Sequence, residues 1–258
     1  MSAIYHTTGI VLSSRDHKEA DRWYSIFTRD RGKIEVLAKG GHKPLAKLTP
    51  HLEMPGVVEL MVVNGRQYDT VAGVERRIGF GNVYGDLTRL LLARHALYLA
   101  DIGTRPHEAD VALYDLLVGW LTTVDMAPQV TQERAGFLLG AFSVKLLSLV
   151  GYRPEFLRCL VCRDAIAPGA YRWSAVKGGV ACAVCVQSDQ EQWFAARTIS
   201  DSALKLLRYA LAEPFDAHLR PHLTSELLTE YHDAIESLLI SHFPVIPGNS
   251  LRASCVMA

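Results

Sequence analysis

Two short cysteine pairs, Cys159-Leu-Val-Cys162 and Cys182-Ala-Val-Cys185, are the clearest chemistry in this chain. They stand 19 residues apart, a C-x2-C-x19-C-x2-C pattern. Cysteines three positions apart on a tight turn aim both sulfurs at one ion, and two such turns complete a tetrahedron. Zinc is the expected metal, with Cys159, Cys162, Cys182 and Cys185 as its ligands; mononuclear iron also suits four sulfurs, and two disulfides are the non-metal arrangement. Four thiolates leave no open position for water or substrate, so the expected role is structural. Tyr171 to Trp173 reads as a short strand and Gly178-Gly179 as the turn that brings the second pair back to the first. Such a segment has little core of its own, so the metal would supply much of its folding energy. Cys255, far from the others, reads as an incidental tail thiol.

A second group of residues is basic. Arg29, Arg31, Lys33, Lys39, Lys43 and Lys47 fall around one hairpin and the polar, glycine-containing loop after it. Lysines four apart on such a loop can follow a phosphate backbone without reading bases. Trp23, Tyr24, Phe27 and Tyr68 lie nearby and could stack bases if they faced outward. Each signal has an ordinary reading as well: basic clusters are usually solvated surface, and aromatics usually pack in cores.

The elements that must position these residues change character along the chain. Thr8 to Ser13, Arg22 to Thr28, Lys33 to Lys39, Val57 to Val63 and Gln67 to Glu75 read as strands, with Arg29-Asp30-Arg31-Gly32 as a hairpin turn. Ile34, Val36 and Ala38 alternate onto one face, against Lys33, Glu35 and Leu37 on the other. Asn64-Gly65 reads as a tight turn. Five short strands within 80 residues predict a small closed barrel, with an OB-fold the leading candidate.

Beyond about Gly85 the period is helical. Leu87, Leu90, Leu91, Ala93, Leu97 and Ala100 predict a first helix ending near Gly103, and Glu108 to Val124 a second. A third runs from an N-cap at Thr131 to Leu149, with Leu138, Phe142, Leu146 and Leu149 as its buried stripe and Gly151 as its stop. Further helices are expected over Ser200 to Ala212, with Leu204, Leu207 and Leu211 aligned, and over Ser225 to His242; Pro244 to Gly248 ends regular structure. The expected architecture is α+β: a barrel domain over residues 1–80, then a helical domain over 81–258 with the cysteine module inserted at about 155–190.

The 258 residues carry 27 basic and 27 acidic side chains, a net charge of zero, yet residues 1–80 hold 12 basic against 9 acidic. This permits an anion-binding front half without demanding one. No run of 18 apolar residues and no signal-like start is present, so a cytoplasmic protein is expected. Phosphate-loop, serine-elbow, H-E-x-x-H and kinase motifs are absent. His51-Leu52-Glu53 matches half of a zinc-deaminase signature, but neither cysteine pair follows a proline and the four thiols already form a complete set.

The combination resembles the RecO family of bacterial recombination and repair mediators. The residues that carry it are Gly9-Ile-Val-Leu12, Arg15-Asp16, Glu19-Ala-Asp21-Arg22, Phe27-Thr-Arg29, Arg31-Gly32-Lys33 and Ala38-Lys39-Gly40, followed by Leu149-Val-Gly151-Tyr-Arg-Pro154 and the cysteine module. The resemblance covers residues 4–245. It implies an OB-fold followed by a helical domain with an inserted zinc module, and a non-enzymatic, nucleoid-associated protein. Such proteins bind single- and double-stranded DNA, anneal complementary strands, engage single-strand-binding protein and, with RecR, help load RecA. The loop Gly41-His42-Lys43-Pro44-Leu45-Ala46-Lys47 is less basic than in many relatives, which predicts weaker DNA binding and a shallower salt dependence. A zinc-ribbon OB protein acting in transcription or on RNA is the alternative reading, and an enzyme using the metal would need an open coordination position.

Overall fold

Strands form where β-branched and aromatic residues recur, and five appear before residue 80: β1 (Ile4–His17), β2 (Asp21–Thr28), β3 (Gly32–Ala38), β4 (Val57–Val63) and β5 (Asp69–Ile78). The structure, a computed structural model, describes residues 3–41, 43, 46–243 and 245–246. His42, Pro44 and Leu45 of the basic loop, Pro244, Pro247 and Gly248 of the expected stop, and Cys255 lie outside the described residues. The strands close a barrel in the order β1-β2-β3-β5-β4. β4 returns antiparallel to β1, and β3 pairs parallel with β5, the pairing that closes an OB-fold. Inside lie Val11, Tyr24, Ile26, Ile34, Val36, Ala38, Val58, Leu60, Val62 and Val71.

β1 is longer than expected and carries a register shift between Val11 and Ser13, which lets Leu12 be buried without breaking the alternation that follows. The β2–β3 hairpin pairs Thr28 with Gly32, and Gly32 takes a left-handed conformation (φ +67°). Only glycine fits there for a second reason: an added Cβ would lie 2.2 Å from the Glu108 carbonyl oxygen. Asn64-Gly65 does not make a two-residue turn. β4 ends at Val63 and β5 begins at Asp69, so the pair opens a five-residue loop in which Asn64 Nδ2 donates to Asp69 at 3.0 Å.

The chain divides into two units, Met1–Pro128 and Gln129–Ala258. The first contains the barrel with α1 (Gly81–Gly85), α2 (Leu87–Gly103) and α3 (Val111–Met126). Asp86 and Asp110 cap α2 and α3 through their carboxylates, which places the start of α3 three residues later than the apolar pattern suggests. The buried side of α2 is Leu92, Ala93, Ala96, Leu97, Leu99 and Ala100; Leu87, at the first position of the helix, is 61% exposed. Arg89 is buried within this apolar helix because its guanidinium collects the carbonyls of Val124, Asp125 and Ala127, the orphan acceptors at the end of α3.

In the second unit α4 (Gln132–Leu149) is buried on nearly every side between α6 (Asp201–Ala212) and α7 (Ser225–His242). Thr131 and Ser200 cap α4 and α6 as the sequence suggests for α4. Leu138, Phe142 and Leu146 are buried, whereas Leu149 faces out in the last turn. At Gly140 a Cβ would sit 2.5 Å from the Tyr231 ring, so the glycine admits that fully buried tyrosine of α7. Between α4 and α6 lie three short strands, β6 (Tyr171–Ser174), β7 (Gly179–Cys182) and β8 (Arg197–Ile199), in the order β7-β6-β8, with the short helix α5 (Ala183–Ser188). Among the described residues no helix is long and apolar enough to cross a membrane.

Candidate functional site

The outer face of the barrel is divided along its length. Ile10, Phe27 and Lys33 share one row of the β1-β2-β3 register, Ser25 and Glu35 the next with Ser13 beside them, and Arg15, Trp23 and Leu37 the third. His17 and Asp21 form a fourth. The first end is sealed: Ile10 and Phe27 are buried, and α2 and α3 pack on β1. A polar clamp marks where the seal stops. Asp101 of α2 accepts from Ser13 (2.7 Å) and Ser25 (2.8 Å), and its carboxylate lies 3.4 Å from the Lys33 ammonium, which also donates to the Asp101 carbonyl at 2.5 Å. The backbone joins in, since His107 N donates to the Lys33 carbonyl at 2.9 Å.

The six basic residues are therefore placed very differently. Lys33 is held in the clamp, its side chain 14% exposed. Arg29 reaches Asp115 at 2.7 Å and lies over the Tyr114 ring; Arg31 lies over Tyr5, 4.1 Å from its centroid, and meets Asp30 at 3.5 Å. Both arginines remain half exposed. Burial and the Asp69 carboxylate that accepts its hydroxyl proton raise the Tyr5 pKa above the ordinary phenol range, so the ring beneath Arg31 is neutral. Lys39, Lys43 and Lys47 are exposed, and among the described residues no salt bridge involves them.

The aromatics split as well. Tyr24 and Phe27 are buried, while Trp23 is half-buried and Tyr68 is 38% exposed. Trp23 meets Tyr68 and His17 edge-on, at centroid distances of 5.6 and 5.8 Å. Arg15 lies 5.7 Å above Trp23 and pairs with Glu35 at 3.2 Å. Sequence reading passes over Arg15 and His17 as face residues because it ends β1 at Ser13; the alternation Ser13, Arg15, His17 was the available signal.

The four cysteines converge. Their sulfurs lie within 4.8 Å of one another, and all four are free thiols. The first pair sits on a turn closed by Arg163 N to the Cys159 carbonyl (3.0 Å); Cys182 ends β7 and Cys185 lies in the first turn of α5. Gly178, at φ +68°, ends the turn that folds β7 back along β6. The backbone N–H groups of Val161 and Cys182 point at Cys159 Sγ, at 3.5 and 3.4 Å. Burial pushes the Cys159 thiol up, but those donors, the Cys162 N–H and the Cys162 thiol outweigh it and hold the pKa near 6. At Cys162 an N–H bond from Asp164 acts downward, yet burial and the hydrogen bonds with Cys159, Asp164 and Cys185 push the thiol up to about 12. Thiols this close resist ionising together, and a cation among them removes that conflict. The donor set fits one tetrahedral metal ion.

Comparison with known proteins covers nearly all of the chain. The profile of "Recombination protein O N terminal" matches residues 1–77 and that of "Recombination protein O C terminal" matches residues 84–251. Proteins named DNA repair protein RecO are similar over most of their length. The one from Symbiobacterium thermophilum is 29% identical over 241 residues, covering 93% of this chain and 92% of its own. That of Dehalococcoides mccartyi strain BAV1 is 29% identical over 233 residues, 90% and 88% of the two chains, and that of Desulfitobacterium hafniense strain DCB-2 is 29% identical over 209, 81% and 74%.

Proposed function

The chain belongs to the RecO family of DNA repair proteins, and from that premise we propose that it is a non-enzymatic DNA-binding mediator of recombination. In this reading it anneals complementary strands and, with RecR, assists RecA loading onto DNA coated by single-strand-binding protein, in the cytoplasm at the nucleoid. We assign DNA to the barrel domain, residues 1–80, and protein partners to residues 81–258, a division that falls between the two family profiles.

One observation carries the reading: Lys39, Lys43 and Lys47 stand exposed, without ion-pair partners among the described residues, beside an OB barrel in a member of a DNA repair family. Phosphates would meet these lysines first, with Arg29 and Arg31 alongside; Lys33 would orient the face through Asp101. Phosphate contacts of this kind position DNA without reading its sequence, as a mediator acting on any damaged site requires.

The cysteine site would hold one zinc ion through Cys159, Cys162, Cys182 and Cys185, supplying cross-linking rather than chemistry. Replacing Lys39, Lys43 and Lys47 together with alanine should weaken DNA binding several-fold, measured by fluorescence anisotropy. Unchanged affinity would sink the site assignment, and preference for structured RNA over single-stranded DNA in competition would sink the repair reading. Elemental analysis should find one zinc per chain, lost in Cys159→Ser.

A further inference from the structure

We propose that the open end of the barrel's outer face stacks unpaired nucleobases, with Trp23 and Tyr68 as the residues that favour single-stranded over duplex DNA. The inference rests on the DNA-binding reading above and specifies which form of DNA the barrel selects.

The geometry supplies the argument. Past the Asp101 clamp the face carries Arg15, Trp23 and Leu37, then His17 and Asp21, with Lys39 one residue beyond the end of β3. Tyr68 stands at the edge of Trp23 with ring planes 82° apart, and His17 at 65°. Edge-on neighbours fix the orientation of the Trp23 ring, and Arg15 covers one of its faces, 5.7 Å from the centroid, so a base stacking there takes the place of the guanidinium or stacks on it. Tyr68 keeps more than a third of its surface open. Two cations belong to this end of the face, Arg15 on β1 and the exposed Lys39 just after β3, and either could meet the phosphates of a bound strand. The nearby carboxylates are engaged: Glu35 with Arg15, and Asp21 with the Gly40 N–H at 2.8 Å. Stacking on aromatic side chains is sequence-tolerant because every base has a π-face, and a duplex keeps those faces inside its own stack. The same rings also lie beside Leu37, which is 1% exposed and opposite Trp23 in the register, so packing and binding must be separated by experiment.

The chain supplies its own probe. Of its four tryptophans, Trp120, Trp173 and Trp193 are 4% exposed or less, and Trp23 alone is half-buried. The full-length protein is titrated with oligothymidylate and with a hairpin duplex of equal phosphate count, following both DNA anisotropy and intrinsic fluorescence. Oligothymidylate should quench the wild type. Trp23→Phe should keep the affinity and lose the quenching. Trp23→Ala and Tyr68→Ala should each weaken oligothymidylate binding by about tenfold while changing duplex binding by less than about twofold; Tyr68, in an exposed loop, is the variant least exposed to misfolding. Quenching that persists in Trp23→Phe, or wild-type affinity for oligothymidylate in both alanine variants, overturns the proposal. Lysine-dependent binding with no change in tryptophan fluorescence overturns the stacking alone and leaves the DNA-binding reading intact. No DNA binding by the wild type overturns both.

Discussion

His218 is fully buried, its ring 5.3 to 5.7 Å from those of Phe137, Tyr209 and Phe215. Burial depresses its pKa to about 4; the Tyr209 carbonyl opposes this and Lys145 adds to it. The folded state therefore refuses a proton that the unfolded chain accepts near 6.5, and stability rises with pH between those values. Acidification from about pH 6.5 to 4 should cost up to about 3 kcal/mol at this residue, with no further loss below. Urea unfolding across that range checks it, and His218→Phe should make the slope shallower, leaving the share of His95, whose pKa burial also depresses to about 4. At this scale the cysteine set was legible, because a metal knuckle is written in local spacing. The fate of Lys33 was not. It shares a basic cluster with Lys39 in sequence, and only the fold brings it to Asp101, 68 residues away. A side chain's partner across that separation leaves no local trace. We expect Lys33→Ala to lower stability by about 1–2 kcal/mol while leaving the DNA salt slope intact, in contrast to Lys39→Ala; an unchanged unfolding midpoint would refute it.

Among the elements, the helices were the most legible. Long amphipathic or apolar segments announce themselves, and α7 falls where the period places it, at Ser225–His242. Errors cluster at ends, where a single capping side chain decides: Asp110 moves the start of α3, and the five-residue loop displaces the turn expected at Asn64-Gly65. The cysteine module is the element with the least support of its own. Its strands are three or four residues long, and its core is Cys159, Ala181 and Trp193 with a few half-buried neighbours. Removing the proposed metal from such a unit would remove the term that fixes it. Chelation, or Cys159→Ser, should let water reach Trp193 and shift its emission to the red, while the barrel's circular dichroism in the far ultraviolet persists. An emission spectrum indifferent to chelator would show that the module stands without a metal ion.

At the scale of the whole molecule, charge is balanced, so little long-range field draws DNA in and local contacts must do so. If the proposed contacts form, Lys39, Lys43 and Lys47 contribute about −2 to the slope of log K against log salt on single strands, beside the share of Arg29 and Arg31. The triple alanine variant should make the slope shallower by about 2, and an unchanged slope would show that these three lysines meet no phosphates. The barrel that carries them is closed by unequal joints. β1 is registered with β4 at seven positions, whereas β3 and β5 meet at two, Val36 with Asp69 and Leu37 with Thr70. Parallel pairs are the weaker kind, and a short one opens before the rest of a sheet does. Deuterium should therefore enter the amides of this seam first. Each such breath leaves the barrel briefly an open sheet with two free edges, and it loosens Tyr68, next to β5, from Trp23 on β2. The rate at which the seam breathes would then set how often the two rings part.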